Sequence, residues 1–118
     1  MIPRVAKWWP IVLAAALGLS SPQFFISAQD KTTESLRALR AQAEQGGSDA
    51  QFNLGLMYYR GEGVPQDYVQ AHMWYNLAGI SGDAQSVKNR DFVAEIMTPS
   101  QIAEAQRLAR EWKPKRGR

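Results

Sequence analysis

The run LGLMYYRGEGVPQDYVQAHMWYNLAG, from Leu54 to Gly79, decides the fold. Its first part carries apolar residues at helical spacing on two sides: Leu54, Met57 and Tyr58 on one face, Leu56 and Tyr59 on the other. Apolar positions on two sides predict a helix sandwiched between neighbours. Gly55 in mid-helix costs about 1 kcal/mol relative to alanine, and the expected compensation is the close approach of another helix. Gly61, Gly63 and Pro65 then forbid helix. Asp67 is a natural N-cap with Gln70 three residues on, and a third of helical pattern runs from Tyr68 to about Ile80, with Ala71, Trp74, Tyr75 and Ala78 on one face.

Working outward, the preceding helix of this pair is expected to start at Asp49, whose carboxylate suits an N-cap. Ala50 joins its first face and Phe52 its second. Upstream, Leu36, Leu39 and Ala43 form one narrow apolar stripe between about Thr33 and Gln45, closed by Gly46-Gly47. Downstream, Asp83 opens a segment to about Ile96. Thr98-Pro99-Ser100-Gln101 then has the N-cap, first-turn proline and glutamine of a capping box. Ile102, Ala105, Leu108, Ala109 and Trp112 give the last helix its buried stripe, and Pro114 ends it. Nothing alternates like a strand. The fold class is all-α.

The pattern repeats. Asp49-Ala50-Gln51 recurs as Asp83-Ala84-Gln85, an offset of 34 residues, at two helix junctions. A period of this size marks stacked helix pairs. Leu54-Gly55-x-x-Tyr58 also fits the L-G-x-x-Y core of the tetratricopeptide pattern. Taken with Gly61, Gly63, Val64, Asp67, Ala71, Trp74, Ala78, Gly82, Asp83 and Ala84, the run resembles a Sel1-like repeat, a tetratricopeptide relative with a longer glycine-rich turn. The resemblance covers about one full repeat. It implies a short αα-hairpin solenoid that presents an interaction surface. In the second copy Lys88-Asn89 replaces Leu54-Gly55 and no Gly-x-Gly turn follows, so the last two helices read as a C-terminal cap. So short an array predicts self-association, since solenoids generally want three or more repeats.

The 118 residues carry a formal charge of +3, but the basic residues gather at the ends. Between Gln29 and Trp112 there are 8 Lys and Arg against 11 Asp and Glu, a net −3. A nucleic-acid binder carries a basic stripe on its fold, so no nucleic-acid partner is expected. The basic tail, residues 113–118, reads as a solvated end with at most a weak attraction to anionic lipid or envelope polymer. Residues 1–28 have export character: Arg4 and Lys7, then apolar Ile11 to Leu19, then Ser27-Ala28. The expected domain plan is a signal peptide over 1–28, an N-terminal helix and linker over 29–48, the repeat region with its cap over 49–112, and the tail. The expected location is periplasmic or secreted. The alternative is an inner-membrane anchor over residues 8–28, with Trp8-Trp9 at the interface.

Candidate chemistry is thin. With no cysteine and a single histidine, the chain offers neither thiolate nor a histidine pair for metal. Gly61-Glu62-Gly63 follows a helix, not a strand, and lacks the lysine of a phosphate loop. His72 has no recognisable nucleophile to serve and reads as a packed or exposed side chain. Asp49, Asp67 and Asp83 are accounted for as helix caps, while Glu44, Glu62, Asp91 and Glu95 show no pairing. No catalytic, cofactor or metal residue is expected. Some Sel1-like proteins are associated with β-lactam binding or hydrolysis, but those are cysteine-rich and this chain has no cysteine. Tyr58, Trp74 and Tyr75 fall on faces expected to be buried. Phe52, Tyr59 and Tyr68 are offset from them and are the partner-binding candidates. The expected function is a non-catalytic interaction or scaffold module of the bacterial cell envelope with a protein or peptide partner. The alternative is an envelope hydrolase acting on β-lactams or peptidoglycan.

Overall fold

The computed structural model describes residues 33–116, and the export segment at residues 1–28 lies outside them. Five helices follow one another. Helix α1 occupies residues 33–44, α2 Ser48–Arg60, α3 Tyr68–Ile80, α4 Ala84–Ala94 and α5 Pro99–Glu111. From Ser35 onward they form a compact unit.

Helix α3 is the axis of the packing. It touches α2, α4 and α5, and seven of its residues are buried: Ala71, His72, Met73, Trp74, Tyr75, Leu77 and Ala78. A helix buried nearly all round is what apolar residues on two faces demand. Its sides feed two clusters. One joins Ala43, Ala50, Leu54, Met73, Trp74, Leu77 and Ala109, with Leu36, Leu39 and Trp112 packed around them. The other joins Ala71, Tyr75, Val93, Met97 and Ala105. The short α1 stripe thus lands on the first cluster, and α4 on the second.

Close approach at Gly55 is achieved by a ring and not by a backbone. A Cβ there would lie 2.7 Å from two ring carbons of Tyr75, so glycine is the residue that lets the phenol settle against α2. At the other end Gly61 takes a left-handed conformation, φ +70°, and its N–H donates to Met57 O at 2.7 Å. The turn after it is closed by Asp67 N–H to Tyr58 O (2.9 Å) and Gln66 Nε2 to Tyr59 O (2.9 Å).

The helix starts divide the three aspartates. Asp67 caps α3 by accepting from Gln70 N–H at 3.1 Å, and Thr98 with Gln101 completes a capping box on α5. Asp49 does not cap. Gly47 is the N-cap of α2, and Asp49 sits inside the first turn, where its charge meets the positive helix end instead. Asp83 is at the N-cap of α4, yet its carboxylate accepts from the Ser86 hydroxyl and from no backbone N–H. Helix α4 ends at Ala94, two residues short of the expected Ile96, because 92–97 tighten into i→i+3 turns.

The tail also departs from expectation. Lys115 N–H donates to Glu44 O at 2.7 Å, and its ammonium meets the Glu44 carboxylate at 2.9 Å. Chain after α5 is therefore tied to the end of α1, with one backbone bond and one ion pair, and is not simply a solvated end.

Candidate interaction surface

Two hollows lie between α2 and α4, each lined from both helices, and together they are called the α2–α4 groove. On α2 the residues that line it are Asp49, Phe52, Asn53, Leu56, Tyr59 and Arg60, a single stripe at spacings of three and four. On the α4 side they are Asp83, Gln85, Asn89, Phe92 and Val93. Tyr75 of α3 closes the floor.

The groove has two unlike ends. Where the helices begin, an open hollow of 470 Å³ is bounded by Asp49, Phe52, Asn53, Asp83 and Gln85. Toward the helix C-termini it narrows to a cavity of 180 Å³ walled by Leu56, Tyr59, Tyr75, Phe92 and Val93, with Arg60 and Asn89 as its polar members. A cavity of about 150 Å³ accommodates a benzene ring, so this one has room for one aromatic or branched aliphatic side chain.

Its aromatic walls brace one another. Tyr59 contacts Tyr68 with ring centroids 5.8 Å apart, and Phe92 edge-on at 6.1 Å. Phe52 packs on Tyr75 at 5.9 Å. Such pairs fix ring orientation beyond simple burial. Burial pushes the Tyr75 phenol up from its ordinary value, against the opposing pull of its hydrogen bond with Asn89 and of the Arg60 charge, with Tyr59 adding to the rise.

The three aromatic candidates read from sequence fall in different places. Tyr59 lines the cavity, Tyr68 supports it from behind, and Phe52 faces the polar end. All three are half-buried and lean on the second core cluster. Among the described residues the exposed large apolar side chains are Ile80, Phe92 and Ile96, at 75%, 54% and 50% exposure. Sequence reasoning passed over Phe92. Phe92 stands 34 residues after Tyr58, a place in the repeat that predicts burial, so its exposure was not legible from the repeat.

His72 is buried among α3 neighbours at 3% exposure, and its Nδ1 has no hydrogen-bond partner. Burial holds its imidazole below the ordinary value; Arg90 lowers it further and Asp91 opposes. Arg90 is itself engaged, donating to Asn76 Oδ1 at 2.9 Å and pairing with Asp91. Among the described residues no group of three or more His, Asp or Glu is gathered to hold a metal ion.

Residues 48–83 match the family model of the Sel1 repeat. Among solved structures the chain is similar to a protective antigen present in uropathogenic Escherichia coli strains that displays an SLR fold, at 36% identity and a TM-score of 0.63. That likeness covers 65% of this chain and 17% of the antigen, so the present chain spans a small part of that protein's length. No curated protein matches the chain. The stretch similar to the Sel1 repeat is built as α2 and α3 with the glycine turn between them, in an all-α helical fold. Sel1 repeats and the SLR fold are generally protein–protein interaction modules and typically non-catalytic.

Proposed function

We propose that this Sel1-repeat chain is a non-catalytic interaction module of the bacterial cell envelope, holding a protein or peptide partner in the α2–α4 groove. The observation that carries the reading is the groove itself. It collects Tyr59, Phe92 and Leu56 around a side-chain-sized cavity on a fold whose other apolar residues mostly go into two cores. An exposed aromatic such as Phe92 beside a side-chain-sized hollow is the kind of residue that interfaces are enriched in. The envelope assignment rests on the export character of Arg4, Lys7 and Ile11 to Leu19.

The test is cross-linking and co-purification from the native envelope with wild-type chain, a Phe52→Ala/Tyr59→Ala double variant and a Phe92→Ala variant. The expected outcome is partner capture by the wild type and its loss in both variants, with circular dichroism confirming that the helices persist. Retention of every partner by both folded variants sinks the surface assignment. Turnover of a chromogenic β-lactam that disappears in His72→Ala would favour the hydrolase alternative.

A further inference from the structure

We infer that the α2–α4 groove takes an extended peptide segment bearing an acidic residue next to a large apolar one and a basic residue about five positions away. The inference rests on the interaction reading above and adds the chemistry of the occupant.

Three features set that chemistry. The cavity walled by Leu56, Tyr59, Tyr75, Phe92 and Val93 has the volume of one side chain, and Phe92 leaves half its surface to solvent. Arg60 borders that cavity, is exposed, and makes no ion pair among the described residues. A guanidinium offers a fork of donors suited to a carboxylate. At the far end Asp49 and Asp83 flank the wide hollow; among the described residues Asp49 is exposed and has no ion pair, and the Asp83 carboxylate is shared with the Ser86 hydroxyl. The groove is thus negative at one end, positive at the other and apolar beside the positive end.

Spacing follows from the helix. Asp49 and Arg60 lie about 16 Å apart along α2 at 1.5 Å per residue, the reach of about five extended residues. Beyond the cavity Tyr68 packs against Tyr59, and exposed Ile96 follows Phe92 by four residues in the chain. A chain can therefore run on through it, which favours an internal segment over a free terminus.

The probes are four synthetic hexapeptide amides, acetylated at the N-terminus. Two carry the inferred pattern in either chain direction, Lys-Gly-Ser-Gly-Phe-Asp and Asp-Phe-Gly-Ser-Gly-Lys. Two have the charges exchanged, Asp-Gly-Ser-Gly-Phe-Lys and Lys-Phe-Gly-Ser-Gly-Asp. Binding is followed by amide and side-chain NMR shifts of the full chain at low salt. The expected result is saturable shifts at Tyr59, Asn89 and Phe92 with one inferred-pattern peptide, at least about tenfold tighter than with its charge-exchanged twin, the size expected of one charge-assisted contact. Arg60→Gln should erase that preference, and Phe92→Ala should weaken all four peptides while leaving the thermal midpoint in place.

Equal binding of the charge-exchanged peptides, shifts elsewhere on the chain, or no saturable shift overturns the inference. If native partners still depend on Tyr59 and Phe92 in that case, the groove's assigned chemistry falls and the interaction reading stands.

Discussion

Asp49-Ala50-Gln51 and Asp83-Ala84-Gln85 are the same tripeptide in two places, and the fold treats them in opposite ways. Ala50 and Gln51 are buried, at 4% and 1% exposure, and Gln51 Nε2 donates to Ala43 O of α1 at 3.1 Å. Ala84 and Gln85 are exposed, and Gln85 reaches only Asn89 on its own helix. The cause is the neighbouring layer, α1, which covers the first copy; the helix starts differ as well. Helix α2 begins one residue before its aspartate, with Gly47 as N-cap, whereas α4 begins one residue after, with Asp83 as N-cap. The contrast carries through the unit: fully buried Leu54 corresponds to exposed Lys88, and Gly55 under the Tyr75 ring to Asn89 beside it. A repeat motif therefore marks where a helix pair begins without fixing which side of it will be covered. Coverage depends on the next layer, and beyond α4 and α5 the outer faces meet water, as expected of a solenoid end.

The sharpest test of this contrast is at the Leu54 and Lys88 pair. Leu54→Ala should cost about 2–5 kcal/mol in urea unfolding, and Lys88→Ala should stay within about 0.5 kcal/mol. Similar losses at the two sites would break the comparison. Gly55→Ala probes the ring contact. A gain of about 1 kcal/mol in helix propensity is set against about 1–3 kcal/mol of overpacking against Tyr75, for a net loss of up to about 2 kcal/mol. A more stable variant would show that the ring moves aside freely.

Smaller again, Gln51→Ala removes a buried hydrogen bond to α1 and should cost about 1 kcal/mol, against a change within about 0.5 kcal/mol for Gln85→Ala. Two equal values would mean that α1 does not cover the first copy. The last test compares the α3–α4 contact with the rest through pH. The imidazole of His72 has a folded-state pKa below its ordinary 6.5, so the unfolded chain takes up the proton first. Its contribution to stability is complete above about pH 6.5 and declines as pH falls from there toward the folded-state value. His72→Gln should flatten that part of the stability profile before carboxylate titration begins. An unchanged slope would place the acid sensitivity elsewhere.

Much of the fold was legible in advance because it is local. Helix α3 and the start of α5 follow from apolar spacing, a capping aspartate, a capping box and a proline, each readable within a few residues. The aromatic candidates were harder. Tyr59 and Tyr68 were distinguishable as off the main faces, but that Tyr59 meets Tyr68 of α3 on one side and Phe92 of α4 on the other depends on how three helices come together. Lys115 was read as part of a loose basic end because no local pattern announces a bond to Glu44, 71 positions back.

Sequence alone determined the helical repeat, the glycine turn, the exclusion of thiol chemistry and the acidic character of the folded part, since these depend on composition and short-range spacing. Tertiary structure decided which aspartate caps, which copy of Asp-Ala-Gln is buried, and that Arg60, Tyr59 and Phe92 share one cavity. Those outcomes depend on the packing of α1, α3 and α4 against α2. The energies involved come from contacts between residues far apart in the chain, and no local pattern encodes them.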